Sequence, residues 1–455
     1  MCGLCGFTGR ITNGADVIKK MSDKIIHRGP DSEGFYMGEN LHLGYRRLSI
    51  IDLDGGSQPM FNEDDSLVLV FNGEIYNYQE LREDLVEKGH IFKSQSDSET
   101  ILHGFEEYGE KVLDRLRGMF AFVIYDIKND NLFAARDFFG IKPFYYALID
   151  NQLIFGSEIK SIIEHPLVVK EVNLQALENY LTFQYSVLTE TFFKGVHKLM
   201  PAHFLRFSKD GLEIERYWRP EFKPQDDKLL QDTITEIDEV MGESINTHKI
   251  SDVEIGSFLS GGIDSQYVAS RFNGDKTFTV GFDYDKYNEI HYAKELSEKL
   301  NIENFDKTIS TEEYWDVFPK VQYHMDEPLA DASAVALYFV SQLASKHVKV
   351  TLSGEGADEF FGGYNIYKEP LDLKILTDLP YGLRRFLGKI ASLIPFNIKG
   401  KNFFIRGSKR IEQRFIGNAY IFSKPEREAI LKNPTGNFDP AAITRPFYEQ
   451  VKHRD

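Results

Sequence analysis

Two textures of apolar patterning divide this chain. Up to about residue 205, short apolar runs at 67–71, 120–125 and 153–155 are separated by turn clusters such as Asp54-Gly55-Gly56 and Lys128-Asn129-Asp130. Runs of that length, bounded by Gly, Asp and Asn, predict strands joined by tight turns. Helical spacing interrupts them at 78–87, 99–108 and 158–164. This is an α+β layout, with sheets covered by helices. A polar stretch with two prolines at 218–227 then breaks the pattern, and residues 206–228 read as a linker. Beyond it an amphipathic helix is predicted at 229–246, followed by strands at 253–259, 277–280 and 348–352 with helices between them. Strands alternating with helices imply a parallel α/β sheet. From about residue 365 the pattern gives helices and loops, a helical tail with no strong strand.

Composition narrows the class. The 455 residues carry a net charge of −17, so binding nucleic acid through phosphate contacts is not expected. Two cysteines build no disulfide scaffold and fit a reducing compartment. No stretch approaches the ~20 apolar residues of a membrane span, and the first residues lack the basic-then-apolar signature of a signal peptide. The expectation is a cytoplasmic protein that does not engage membranes.

The opening Met1-Cys2-Gly3-Leu4-Cys5-Gly6 carries the first chemical signal. If Met1 is removed, Cys2 has a thiol and a free α-amine on one residue. Those groups titrate near ~8.5 and ~8, so the amine serves as the thiol's own base. The C-x-x-C spacing suggests redox chemistry, but the flanking glycines disfavour the helix such a motif opens. Cys5 reads instead as a small buried residue on the first strand.

The second signal is Ser260-Gly261-Gly262-Ile263-Asp264-Ser265 at the end of the 253–259 strand. Adjacent glycines between a strand and a helix aim backbone N–H groups at an anion. A carboxylate there suits Mg2+. The Walker pattern is absent. Another glycine-rich acidic cluster, Ser353-Gly354-Glu355-Gly356-Ala357-Asp358-Glu359, follows the 348–352 strand. Ligands of open α/β sheets sit at the carboxyl ends of strands.

Further motifs join these: His27-Arg28-Gly29-Pro30-Asp31, Arg47-Leu48-Ser49-Ile50-Ile51-Asp52, Phe71-Asn72-Gly73-Glu74-Ile75-Tyr76-Asn77, Ser96-Asp97-Ser98-Glu99, Gly118-Met119-Phe120-Ala121-Phe122 and Ala135-Arg136-Asp137-Phe138-Phe139-Gly140-Ile141-Lys142-Pro143. With them the chain resembles the glutamine-dependent asparagine synthetases. The resemblance implies a class II glutaminase domain at 1–205 with an Ntn-type αββα sandwich, and an ATP-dependent synthetase domain at 229–455. It implies that Cys2 attacks the glutamine amide, with Asn72 and Gly73 as the oxyanion hole. Arg47 would take the α-carboxylate, Glu74 and Asp97 the α-ammonium, and Leu48, Ser49, Ile50 and Ile51 would line the pocket. In the second domain it implies ATP contacts from Leu259, Ser260, Gly261, Gly262, Asp264, Ser265, Val280, Ser353 and Gly354. Mg2+ would bind Asp264 and Asp358, and Glu355 would help form β-aspartyl-AMP. The implied substrates are glutamine, aspartate and ATP, with ammonia passing inside the protein, and relatives often form homodimers.

One departure stands out. The family's later catalytic lysine and its Arg-x-Pro-Phe-x-Asp stretch find no match before residue 455, so the synthetase domain reads as shortened. Two alternatives follow: an amidotransferase with another carboxylate acceptor, or a synthetase-defective fragment that keeps glutaminase or binding function.

Overall fold

The structure is a computed structural model and describes residues 1–224, 228–284, 288–396, 398–417, 420–435 and 438–452. Its N-terminal part holds two antiparallel six-stranded sheets. The first runs in the order His197–Lys198, Tyr145–Ile149, Gln152–Gly156, Gly3–Thr8, Leu41–Arg47, Ser32–Met37. The second runs Gly211–Arg216, His203–Ser208, Asn131–Arg136, Gly118–Asp126, Leu67–Ile75, Met60–Phe61. Side chains alternate across a strand, and the alternation sorts them into layers. Leu4, Leu43, Tyr45, Val68, Val70, Ala121 and Val123 meet between the sheets. The intervening Leu69, Phe71, Phe122 and Ile124 face the other way, onto Leu81, Ile101 and Leu102 of the helices Tyr78–Glu87 and Asp97–Tyr108. On the first sheet Cys5 and Phe7 pack outward against Ile18, Met21, Ile159 and Ile162. The result is the expected four-layer αββα sandwich, with Cys5 fully buried on the first strand as anticipated.

The predicted parallel sheet is also present. Its four strands lie in the order Glu303–Ile309, Lys276–Phe282, Ile255–Phe258, Val350–Leu352, and every pairing is parallel. Ile255 and Leu352 pack with the helices Leu230–Thr247 and Ile263–Phe272, whereas Phe258 and Phe278 pack with Ser333–Ala344. The strand Glu303–Ile309 escaped the sequence pattern because it is a polar edge strand, where one side needs no partner.

Two expectations about boundaries are corrected. Residues 206–216 are not linker: His203–Ser208 and Gly211–Arg216 form a hairpin that extends the second sheet from Asn131–Arg136. The outer strand of that hairpin is mostly exposed, so its Glu and Arg residues hid the strand pattern. Of the expected linker, 225–227 lie outside the described residues. The compact units also divide elsewhere. One comprises 1–173, 188–327 and 332–353, and so contains both sheet systems. The other comprises 174–187, 328–331 and 354–455. The second unit is helical among its described residues. In it the helix Leu174–Phe183 meets the tail through Ile421 N–H on the Thr182 carbonyl at 2.8 Å and Thr435 Oγ1 on Glu178 Oε2 at 2.6 Å. Glu369 there pairs with Arg406 and Arg414. Among the described residues no helix is long and apolar enough to cross a membrane.

Candidate active site

The apolar stripe between the two antiparallel sheets turns polar at one end. Continuing the inward alternation from Val68 and Val70 brings Asn72 and Glu74 onto the same face of Leu67–Ile75. From Leu43 and Tyr45 it brings Arg47, and from Leu4 it brings Cys2. Four residues from three segments far apart in sequence therefore share one mouth of the sandwich. All of them line a cavity of about 660 Å³ with Leu48, Ile50, Ile51, Gly73 and Asp97. The residues expected to meet glutamine thus line one cavity, apart from Ser49, whose backbone N–H instead donates to Asp31 Oδ2 at 2.9 Å.

Asn72 is the telling member. It is fully buried, and neither its Nδ2 nor its Oδ1 has a hydrogen-bond partner among the described residues. A native interior rarely leaves an amide unsatisfied unless a ligand or function claims it. Beside it Gly73 is required by space, since a Cβ there would sit 2.1 Å from the Met119 carbonyl oxygen.

Cys2 is held rather than free. Its Sγ accepts the Leu48 N–H at 3.4 Å, and its carbonyl accepts Arg28 Nε at 2.9 Å. Arg28 and His27 each lie 2.9 Å from Glu158 Oε1. Lys160 joins Glu158 to Asp326, 2.7 Å from the latter. Burial works to raise the Glu158 pKa, but the His27 hydrogen bond and the Arg28 and Lys160 charges win and hold it at about 2. Asp326 also accepts the Ile159 N–H at 2.5 Å, a structural duty. The α-amine, carried here by Met1, is pushed down to about 5 by burial, with Arg28 and Lys142 contributing. Burial likewise lowers Lys142 and raises Glu74.

The binding groups around the cavity are preorganised. Arg47 is buried and donates to the carbonyls of Leu53 at 3.0 Å, Ile51 at 3.3 Å and Asp52 at 2.5 Å. Among the described residues no carboxylate pairs with it, so a surface ion pair is not its role. Asp97 opens the helix Asp97–Tyr108, which Ser96 caps, and its Oδ2 accepts the Ile75 N–H at 2.9 Å. Burial raises its pKa to about 6 against the pull of those hydrogen bonds. Sequence reasoning quoted Arg28 and Lys142 within motifs but gave them no role. It also missed Tyr45, Gln58 and Glu158. Tyr45 was legible as the position two before Arg47. Gln58, which donates to Tyr45 OH at 3.1 Å and accepts the Phe71 N–H at 2.6 Å, and Glu158 were not, since only the fold brings them near.

The cavity extends beyond these residues. Its wall continues through Ala344, Val348 and Thr351 to Phe258 and Ser353, which lie at the carboxyl ends of Ile255–Phe258 and Val350–Leu352. Polar ties link the loops of this cavity to the segments that enter that sheet. Asp31 accepts Lys349 Nζ at 2.6 Å, the Asp52 N–H donates to Asp252 Oδ2 at 2.7 Å, and the Asp252 N–H donates to the Ile50 carbonyl at 3.0 Å.

At the sheet's end, Ile255–Phe258 and Val350–Leu352 are neighbours, with Ser257 opposite Leu352. Their following residues, the 260 loop and Ser353, are therefore adjacent by topology. Ser260 Oγ lies 2.9 Å from Ser265 Oγ and accepts the Gly262 N–H at 3.1 Å. The Gly261 N–H donates to Glu289 Oε2 at 3.0 Å, so this amide already receives an anionic oxygen. Leu259 is buried, and Val280 lies on the next strand. Asp264, in the first turn of Ile263–Phe272, is partly exposed, and its carboxylate has no partner among the described residues. A free hard oxygen donor beside a phosphate-type loop fits Mg2+. Gly354, Glu355 and Asp358 belong to the second compact unit.

Comparison with known proteins gives a consistent pattern. The family described as glutamine amidotransferase domain matches residues 1–218, and that described as asparagine synthase matches residues 236–409. The chain is 43% identical to asparagine synthetase [glutamine-hydrolyzing] 1 of Bacillus subtilis, over 98% of this chain and 72% of that protein. It is 39% identical to a putative asparagine synthetase [glutamine-hydrolyzing] of Mycobacterium bovis, over 99% of this chain and 74% of that protein. A solved glutamine phosphoribosylpyrophosphate amidotransferase from B. subtilis aligns at 15% identity and a TM-score of 0.37, covering 67% of this chain and 65% of that one, too remote to add to the fold described above.

Proposed function

The chain belongs to the glutamine-hydrolysing asparagine synthetase family, and on that premise we propose that it makes asparagine from aspartate, with ATP as the activating substrate and glutamine as the nitrogen source. The observation that carries this reading is the unpartnered Asn72 amide in a cavity shared by Cys2 and Ser353.

Glutamine binds with its α-carboxylate on Arg47, where a planar guanidinium suits a carboxylate, and with its α-ammonium between Glu74 and Asp97. Once Met1 is removed, the Cys2 amine lies near Arg28 and Lys142, the surroundings that lower the present terminal amine. It takes the thiol proton. The thiolate attacks the side-chain amide, and Asn72 Nδ2 with the Gly73 N–H stabilises the oxyanion. One such donor is worth ~3 kcal/mol. Ammonia leaves and a thioester remains, which water hydrolyses to glutamate. Ammonia then moves along the wall of Phe258, Ala344, Val348 and Thr351 toward the sheet end.

There ATP is held by Ser260, Gly261, Gly262 and Ser265 at its pyrophosphate and by Leu259, Val280, Ser353 and Gly354 at its nucleoside. Asp264 and Asp358 would hold Mg2+, which when bound neutralises phosphate charge. The aspartate β-carboxylate attacks the α-phosphorus, pyrophosphate departs, and Glu355 assists formation of the acyl-adenylate. Ammonia displaces AMP to give asparagine. Intracellular location and a homodimer belong to the same proposal, the latter checked by sedimentation.

The test is a purified-protein assay of asparagine, AMP and pyrophosphate with aspartate, ATP and Mg2+, supplied with either glutamine or ammonium. Asparagine from both nitrogen sources supports the reading. Glutamate release with no asparagine from either source overturns the synthetase half.

A further inference from the structure

Away from the Cys2 cavity lining, a second cluster of ligating side chains gathers from three segments. Glu63 follows the short strand Met60–Phe61, His90 follows the helix Tyr78–Glu87, and His103 and Glu106 lie one turn apart on Asp97–Tyr108. Their donor atoms all lie within 4.8 Å of one another. We propose that Glu63, His90, His103 and Glu106 form a site for a divalent transition metal of the zinc class.

The spacing carries the argument. His103 Nδ1 is 3.4 Å from Glu63 Oε2 and 3.4 Å from Glu106 Oε2. His90 Nδ1 is 3.5 Å from Glu63 Oε1 and 3.5 Å from Glu106 Oε2. Charge-assisted hydrogen bonds close to about 2.7–2.9 Å, so these contacts are too long to be good ion-pair hydrogen bonds. They approach the length of ligand-to-ligand edges instead, with Glu63 turning Oε2 to His103 and Oε1 to His90. Zinc bonds of about 2.0–2.2 Å place tetrahedral ligands roughly 3.3–3.6 Å apart. An octahedral Mg2+ set at about 2.1 Å leaves neighbours only ~3.0 Å apart.

The surroundings match a built site. Both imidazoles turn Nδ1 to the centre and Nε2 to an outer carboxylate: His103 Nε2 is 3.5 Å from Glu99 Oε1, and His90 Nε2 is 3.5 Å from Glu107 Oε2. At that length neither is a good hydrogen bond, but each carboxylate stands on the side where a ligating histidine's outer N–H is ordinarily received. Glu99 is itself held by the backbone N–H groups of Lys93 at 2.7 Å and Ser94 at 2.8 Å. The ligand carboxylates are also oriented, since Glu63 Oε1 accepts the Ile91 N–H at 2.9 Å and Glu106 Oε1 accepts Asn62 Nδ2 at 3.1 Å. His103 is 1% exposed, and its Nε2 has no hydrogen bond within normal limits. Two imidazoles and two carboxylates suit zinc better than calcium or magnesium, which prefer oxygen alone. A bound ion would clamp the helix Asp97–Tyr108 to the loops on either side of Tyr78–Glu87.

The test uses the full chain in a Cys2→Ala background, stripped with chelator, so that the thiol cannot supply an alternative site. Zinc titrated against a fluorescent competitor is expected to bind one equivalent and to raise the melting temperature, while Mg2+ at the same concentration does not. Co2+ is expected to give the intense visible bands of a tetrahedral ion. The variants His90→Ala and Glu106→Gln, each compared with its own metal-free melting, are expected to weaken zinc at least tenfold and to lose the zinc-induced rise in melting temperature. Absence of stoichiometric binding, or affinity unchanged in both variants, overturns the site. An equal response to Mg2+ overturns the zinc-class assignment.

Discussion

Replacing Asn72 by alanine should move activity and stability in unrelated directions. The side chain is fully buried and makes no hydrogen bond. Leaving a buried amide unpaired costs about 1–3 kcal/mol, and Asn72→Ala removes that cost. The void left behind costs a comparable amount, at ~24 cal/mol per Å³. The two nearly cancel, so the melting temperature should shift by only a few degrees, at about 2–4 °C per kcal/mol. Catalysis has no such compensation. If the amide meets the oxyanion only in the transition state, its loss removes ~3 kcal/mol, or roughly two orders of magnitude in turnover. The assay is glutamate release from glutamine without aspartate or ATP, with melting recorded on the same preparation. Ammonium-dependent asparagine formation should be retained as the control for an intact second site. Glutaminase turnover within threefold of the parent in a normally melting protein would refute the oxyanion assignment. A collapse in melting temperature would refute the claim that the amide is unpaired.

Other consequences follow from the same geometry. Cys2→Ala should abolish glutamine-dependent asparagine formation and spare the ammonium-dependent reaction; equal loss of both, measured by product chromatography, would contradict separate sites. Asp97 has a pKa raised by burial to about 6, so its attraction for the α-ammonium is present above that value and lost below it. With Glu74 raised by burial to about 7, the KM for glutamine should rise as pH falls from 7 to below 6, first with Glu74 and then with Asp97, and a flat profile from pH 5 to 7 would remove both carboxylates from the α-ammonium. Glu158 is depressed from the ordinary 4.5 to about 2, which is worth roughly 3 kcal/mol. That contribution is complete above pH ~4.5 and lost as pH falls through ~2, so Glu158→Gln should lower thermal stability at pH 7 and flatten its acid dependence. Thr351→Phe, in the cavity wall, should leave glutamate release intact while cutting glutamine-dependent asparagine more than the ammonium-dependent yield. A parallel fall in both yields would argue against passage along that wall.

Much of the scaffold was legible from local chemistry. Apolar runs such as 67–71 and 120–125 marked the strands of the sandwich. Glycines between a strand and a helix marked the 260 loop, and Cys2 announced itself by position. The hairpin after residue 203 was illegible because its outer strand is exposed and charged, and Glu303–Ile309 because an edge strand needs little apolar alternation.

The order of residues alone determined which positions point inward, since a pleated strand alternates its side chains whatever surrounds it. That suffices to put Asn72 and Glu74 on one face with Val70, and Arg47 on one face with Tyr45. Only the tertiary structure decided what those faces meet. It brought Glu158 to Arg28 and His27, left the Asn72 amide without a partner, joined the pocket to the end of the parallel sheet, and gathered His90 and His103 with two glutamates. Each depends on contacts between segments remote in sequence, whose formation reflects the collective burial of the layers and which no local pattern encodes.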